Sequence, residues 1–173
     1  MAVVYIFIRI LFLYLGFGEQ QYKYLVSINL FFIVLVVALA LYSSYLSGEK
    51  PYFPIELKTT MRSISIYAII VSVFMLLYYN FIDGGFFERK LDAFRYELEN
   101  TDYSALPDID NPLKVLQKTK EDFIAREMEK AESFNTPFAW STLTLIGTMV
   151  VGFVYALVMV FIRLKLLPAI FRK

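Results

Sequence analysis

From Leu30 to Leu41 the chain carries no polar side chain at all. The run sits inside a longer apolar stretch, Tyr22 to Leu46. At 1.5 Å rise per residue, about 20 such residues match the roughly 30 Å hydrocarbon core of a bilayer. A segment like this must satisfy its backbone polar groups internally wherever water is absent, so the spacing predicts a helix. Ser63 to Ile82 and Phe138 to Leu167 are apolar stretches of similar length. A fourth, Val3 to Phe17, is shorter and carries Arg9. It reaches spanning length only by using nearly every residue from Met1 to Gly18.

Composition supports lipid as the solvent. The chain has 173 residues, 58% of them hydrophobic, with a mean hydropathy of +0.57. A soluble domain of this size cannot hide that much apolar surface in one core. Aromatic residues make up 18%, which suits anchoring at a membrane interface. Cysteine and histidine are both absent, which removes disulfides, His-ligated haem and Cys- or His-based nucleophiles. No cofactor and no metal is expected. A net charge of +1 gives no reason to expect nucleic acid as a partner.

The sequence therefore predicts an all-α membrane protein with four transmembrane helices, at about 2–18, 22–46, 60–82 and from 137 onward. The first is read as a retained span. It lacks a basic segment ahead of its apolar run, and Gly16-Phe17-Gly18 is a poor cleavage site. A tight turn at about Gly18 to Lys23 makes spans one and two an antiparallel pair.

Asp83 to Thr136 breaks the pattern. Phe86, Phe87, Leu91, Phe94 and Leu98 recur at helical spacing among charged residues. Thr101 to Asn111 reads as a turn, and Asn111-Pro112 as a helix start with an N-cap and a first-turn proline. The expectation is a helical hairpin over 83–136, with helices at about Gly85–Asn100 and Pro112–Phe134, standing upright or lying on the headgroups. Thr136-Pro137 repeats the cap-plus-proline signal and opens the last span. Asp108-Ile-Asp-Asn111 lacks the Gly and Glu of a calcium loop, and capping explains it better. Short basic segments flank the span ends on the side of the termini, at Lys50, Lys58, Arg62, Arg163, Lys165, Arg172 and Lys173. The long segment holds thirteen Asp/Glu against eight Lys/Arg. Basic density places the termini in the cytoplasm and the hairpin outside.

Several residues are candidates for contact. Arg9 is the one charge well inside a span, where charge is costly. It snorkels to the near interface, makes a structural hydrogen bond, or meets an anionic lipid or a partner subunit. Asn29 is placed to bond across helices. Thr144, Thr148, Gly152 and Ala156 fall every fourth residue and form a ridge of small side chains. Ser65, Ala68 and Ser72 form a shorter stripe on the third span. Small residues let helices approach closely in lipid, so the two stripes pack together or against another subunit. At Asp83-Gly84-Gly85 the third helix is released from its axis, with Gly84 in a left-handed C-terminal position, as a hinge. Phe86 and Phe87 then hold the next helix against the interface or its hairpin partner.

The stretches YYNFIDGGFFERKLDAF (78–94) and AESFNTPFAWSTLTLIGTMVVGFVYALVM (131–159) resemble a family of small four-helix bacterial membrane proteins, a domain of unknown function common in the Bacteroidota. Gly84-Gly85 stands where that family's pattern has proline after the aspartate. The resemblance implies a Gram-negative inner membrane, with the hairpin in the periplasm, and no particular activity. The sequence presents contact surfaces and no paired acid and base. The expected role is a non-enzymatic accessory or assembly subunit of an inner-membrane complex, with other membrane protein subunits and lipids as partners. A small oligomeric transporter or channel is the alternative, and a lipid-directed enzyme near Asp83 is a third.

Overall fold

A computed structural model describes residues 1–16, 22–48, 52–103 and 119–166, and every regular element among them is helical. Six α-helices follow in order: α1 (Ala2–Tyr14), α2 (Tyr22–Leu46), α3 (Phe53–Leu77), α4 (Phe86–Asn100), α5 (Lys120–Phe134) and α6 (Pro137–Phe161). α3 continues into a π-helical turn, Tyr78–Ile82, and α6 into another, Ile162–Leu166. Among the described residues three helical stretches are long and apolar enough to cross a membrane: Tyr24–Leu46, Phe53–Ile82 and Pro137–Lys165.

α1 stops short of that length. Gly16, at φ +70°, turns the chain in a conformation that favours glycine, and its amide donates to Leu13 O at 3.0 Å. Thirteen residues extend only about 20 Å, against the roughly 30 Å of a hydrocarbon core. The expected first span over 2–18 is thus a shorter apolar helix among the described residues. Gly48, at φ +71°, ends α2 in the same way. α3 begins at Phe53, with Pro54 in its first turn, where a missing N–H costs nothing.

The chain divides into two compact units, one formed by Met1–Phe74 with the segment from Thr142 onward, the other by Met75–Ser141. In the first, Val37 and Leu41 of α2, Ile64 of α3, and Ala156 and Val160 of α6 make a buried apolar layer. α1 packs on α2, with the Tyr5 and Phe32 rings edge to face at 6.4 Å. Hydroxyls on α3 are satisfied within the helix: Thr60 donates to Glu56 O at 2.7 Å and Ser65 to Met61 O at 2.9 Å.

In the second unit α4 and α5 pack together in opposite directions. Lys120, at the start of α5, donates to Glu99 O at 2.6 Å and to Thr101 O at 3.3 Å, closing the end of α4. Tyr103 and Phe123 stack edge to face at 5.6 Å beside it. α5 begins at Lys120, later than the expected Pro112, because Thr119 is its N-cap: the Thr119 hydroxyl accepts from the Asp122 amide at 3.2 Å. The expected start at Asn111-Pro112 and the Asp108 element lie outside the described residues. The cap at Thr136 forms as the sequence predicts, accepting from the Ala139 amide at 3.1 Å.

One close approach in the first unit gives a direct test of packing. A Cβ built on Gly152 falls 2.5 Å from Ile64 Cγ2, whereas one on Gly147 meets nothing within 4 Å. Gly152→Val is expected to destabilise by about 1–3 kcal/mol, the usual range for overpacking a filled core. Gly147→Ala should leave stability nearly unchanged. Thermal unfolding in mild detergent measures both, and adding Ile64→Ala to Gly152→Val should recover part of the loss.

Candidate functional site

Glu56 lies in the first turn of α3 and is only 2% exposed. Both of its carboxylate oxygens are used. Arg163 Nη1 donates to Oε2 at 2.7 Å, and Ser44 Oγ donates to Oε1 at 2.9 Å. Arg163 Nη1 also reaches Leu41 O at 2.6 Å, and its guanidinium lies 6.0 Å from the Tyr45 ring. One ion pair thus links the end of α2, the start of α3 and the π-helical turn that follows α6. Helix dipoles favour this arrangement, since a carboxylate sits at a helix N-terminus and a guanidinium just beyond a C-terminus. Removal from water is costly for both charges, and the hydrogen bonds to Ser44 and to the Leu41 carbonyl are what make the pair tolerable.

A second polar cluster occupies the same unit. Arg9 is 3% exposed, so its guanidinium faces the protein interior, and Nη1 lies 3.4 Å from Tyr5 Oη. Tyr67 Oη donates to Asn29 Oδ1 at 2.6 Å, the cross-helix bond the sequence suggested for Asn29. Arg9 and Tyr5 come from α1, Asn29 from α2 and Tyr67 from α3.

The small-residue ridge points inward. Thr148, Gly152 and Ala156 are buried and Thr144 half-buried, with Gly152 against Ile64 of α3. On α3, Ser72 is buried and Ser65 half-buried. The outward face of α6 consists of large apolar side chains, including Leu143, Ile146, Val150, Val154 and Val158.

At the join in the second unit, α3 leaves its axis through the π-helical turn. The Asp83 amide donates to Tyr78 O at 2.8 Å, one residue further back than an α-helix would use. Asp83 then pairs with Arg89 at 2.6 Å, and Gly85 serves as the N-cap of α4 with φ −83°. The expected left-handed Gly84 is not found: positive φ among the described glycines belongs to Gly16 and Gly48. The widened turn redirects the chain, so left-handed glycine is not needed. Tyr79 sits against Phe86 and Phe87, each at 4.9 Å between ring centres, and against Trp140 at 6.1 Å. Lys90 Nζ lies 3.9 Å above the Trp140 ring, a cation–π contact. An open cleft of about 430 Å³ between α4 and α5 is lined by side chains of both signs, among them Arg95, Glu99, Lys120 and Glu121.

Sequence reasoning passed over Glu56, Arg163 and Trp140. The available signal was that Glu56 is the sole carboxylate between Pro51 and Ile82. Among the described residues no group of three or more Asp or Glu is placed to hold a metal ion. Comparison with protein-family models, curated proteins and solved structures finds no match for this chain.

The ion pair makes a paired prediction. Glu56→Met or Arg163→Met alone should destabilise by about 3–5 kcal/mol, because each leaves a buried charge uncompensated. The double variant should lose far less. Equilibrium unfolding in detergent decides it; additive losses would show that the two charges do not depend on each other.

Proposed function

We propose that this chain is a multi-pass protein of a bacterial inner membrane, acting as a non-enzymatic accessory or assembly subunit of a larger membrane complex. The observation that carries this reading is how a set of buried and half-buried polar side chains in the first unit is used. Glu56, Arg163, Ser44, Tyr67 and Asn29 join one helix to another. Both oxygens of Glu56, the one buried carboxylate among the described residues, accept hydrogen bonds within the protein, which leaves it badly placed as a general base. The layer of Val37, Leu41, Ile64, Ala156 and Val160 fills the space between α2, α3 and α6, which favours a subunit over a transport path.

In this reading four helices enter the bilayer, with α1 as a short member beside α2. Local thinning of the bilayer accommodates its missing length at modest cost. The termini are cytoplasmic and the α4–α5 pair is a periplasmic hairpin. Partner subunits meet the outward apolar face of α6 and the charged surface of the hairpin. The resemblance of 78–94 and 131–159 to the Bacteroidota family supports the choice of inner membrane.

Two measurements test the proposal. Reporter tags at the N- and C-termini should both be cytoplasmic, and one at Glu129 periplasmic; an N-terminal tag in the periplasm would refute the four-helix topology. Crosslinking in native membranes through residues introduced at Val150 and Val154 should trap a second protein. Recovery of only the monomer from native membranes and mild detergent would sink the subunit role.

A further inference from the structure

The second unit exposes large apolar side chains at one level. Phe81 is 80% exposed and Phe138 73% exposed, with Ile82 and Phe134 also open. Tyr79 and Trp140 meet at 6.1 Å and bring the end of the α3 segment level with the start of α6. Phe81 and Phe138 each lie two residues further along or back on those helices. That offset is about half a turn, so both point away from the Tyr79–Trp140 contact. Phe134 ends α5 and sits at the same level, because only Asn135 and Thr136 separate it from α6.

Charge begins abruptly beyond this ring. Asp83, Glu88, Arg89 and Lys90 follow on one side, and Glu127, Glu129, Lys130 and Glu132 stand on the other. The nearby cations have local partners: Arg89 pairs with Asp83, Lys130 with Glu127, and Lys90 lies over Trp140. On the apolar side, Leu77 is exposed one turn before Phe81 and continues the apolar surface along the helix.

We propose that Phe81, Ile82, Phe134 and Phe138 form a collar that seats at the acyl–headgroup boundary of a bilayer, by apolar contact and without selecting acidic lipid. The proposal rests on the reading in which α3 and α6 cross the membrane. The step from uncharged to charge-dense sequence matches the step from acyl chain to headgroup, where aromatic side chains concentrate. Scattered exposed phenylalanines are ordinary, but a ring of them at one level marks a contact surface. A basic patch would select acidic lipid, and here the cations are occupied within the protein.

Trp140 is the sole tryptophan of the chain and reports on the collar directly. The full chain is reconstituted in phosphatidylcholine vesicles, with and without phosphatidylglycerol, together with lipids bearing nitroxides at shallow or deep positions. Shallow nitroxides should quench Trp140 about twofold more than deep ones, as for aromatics at the interface, and equally in both lipid mixtures. Phe81→Ser with Phe138→Ser should raise acrylamide quenching of Trp140, whereas Tyr96→Ser on α4 should not. Neither phenylalanine is packed inside the protein, so the variant folds. Stronger deep quenching, or none from lipid while the chain resists alkaline extraction, overturns the collar and leaves the spanning reading intact. Release by alkali overturns both. A change of depth with phosphatidylglycerol overturns the indifference to headgroup charge.

Discussion

A carboxylate and a guanidinium 2.7 Å apart, both largely withdrawn from solvent, fix the register of three helices in the first unit. Apolar side chains alone are poor at this. Leucine, valine and isoleucine surfaces slide past one another with little change in energy, and lipid tails compete with every such contact. The Glu56–Arg163 pair has one satisfactory geometry, because Ser44 and the Leu41 carbonyl must be met at the same time. A slip of one residue along α3 or α6 would strand a charge. The pair thus contributes little net stability against an apolar substitute and much discrimination against wrong arrangements.

The same economy governs the other polar side chains of that unit. Thr60 and Ser65 return their hydroxyls to their own helix, so they cost little in an apolar setting and leave a small surface for close approach. Gly152 exploits this most fully, admitting Ile64 to within ordinary contact of the α6 backbone. Tyr67 and Asn29 do the opposite and spend their polar groups across helices. Ser44 is the short side chain that bridges, because the Glu56 carboxylate reaches it from α3.

Much of this was legible in the sequence. Apolar length located three membrane-length helices, and Thr136-Pro137 marked the start of α6 because capping is a local, short-range device. The ridge from Thr144 to Ala156 is visible as a four-residue repeat, and within it Gly152 and Ala156 pack by Ile64 of α3. The ion pair was not legible. Its partners stand 107 residues apart, and a lone glutamate among Lys50, Lys58 and Arg62 looks like one more charge at a helix end. Composition alone continues the first helix toward Gly18, whereas α1 ends at Tyr14 ahead of the left-handed Gly16 at φ +70°. The cap that opens α5 at Lys120 is a single bond from the Asp122 amide to the Thr119 hydroxyl, and a lone threonine is a weaker local signal than Asn-Pro.

The join at Asp83-Gly84-Gly85 shows why residue type and residue role separate. Two adjacent glycines suggest a chain that needs unusual dihedrals, yet Gly85 has φ −83° and Gly84 has none in the left-handed range. The π-helical turn supplies the change of direction by adding one residue to a single turn. Tyr79, Phe86, Phe87 and Trp140 then fill the volume that turn opens, and Lys90 covers the indole. What glycine offers here is small size: a Cβ on Gly85 would come within 2.8 Å of the Arg89 guanidinium that reaches back to Asp83. Gly85 therefore leaves room for the Arg89–Asp83 pair, whereas a Cβ on Gly84 would meet only ordinary contacts at 3.6 Å and beyond.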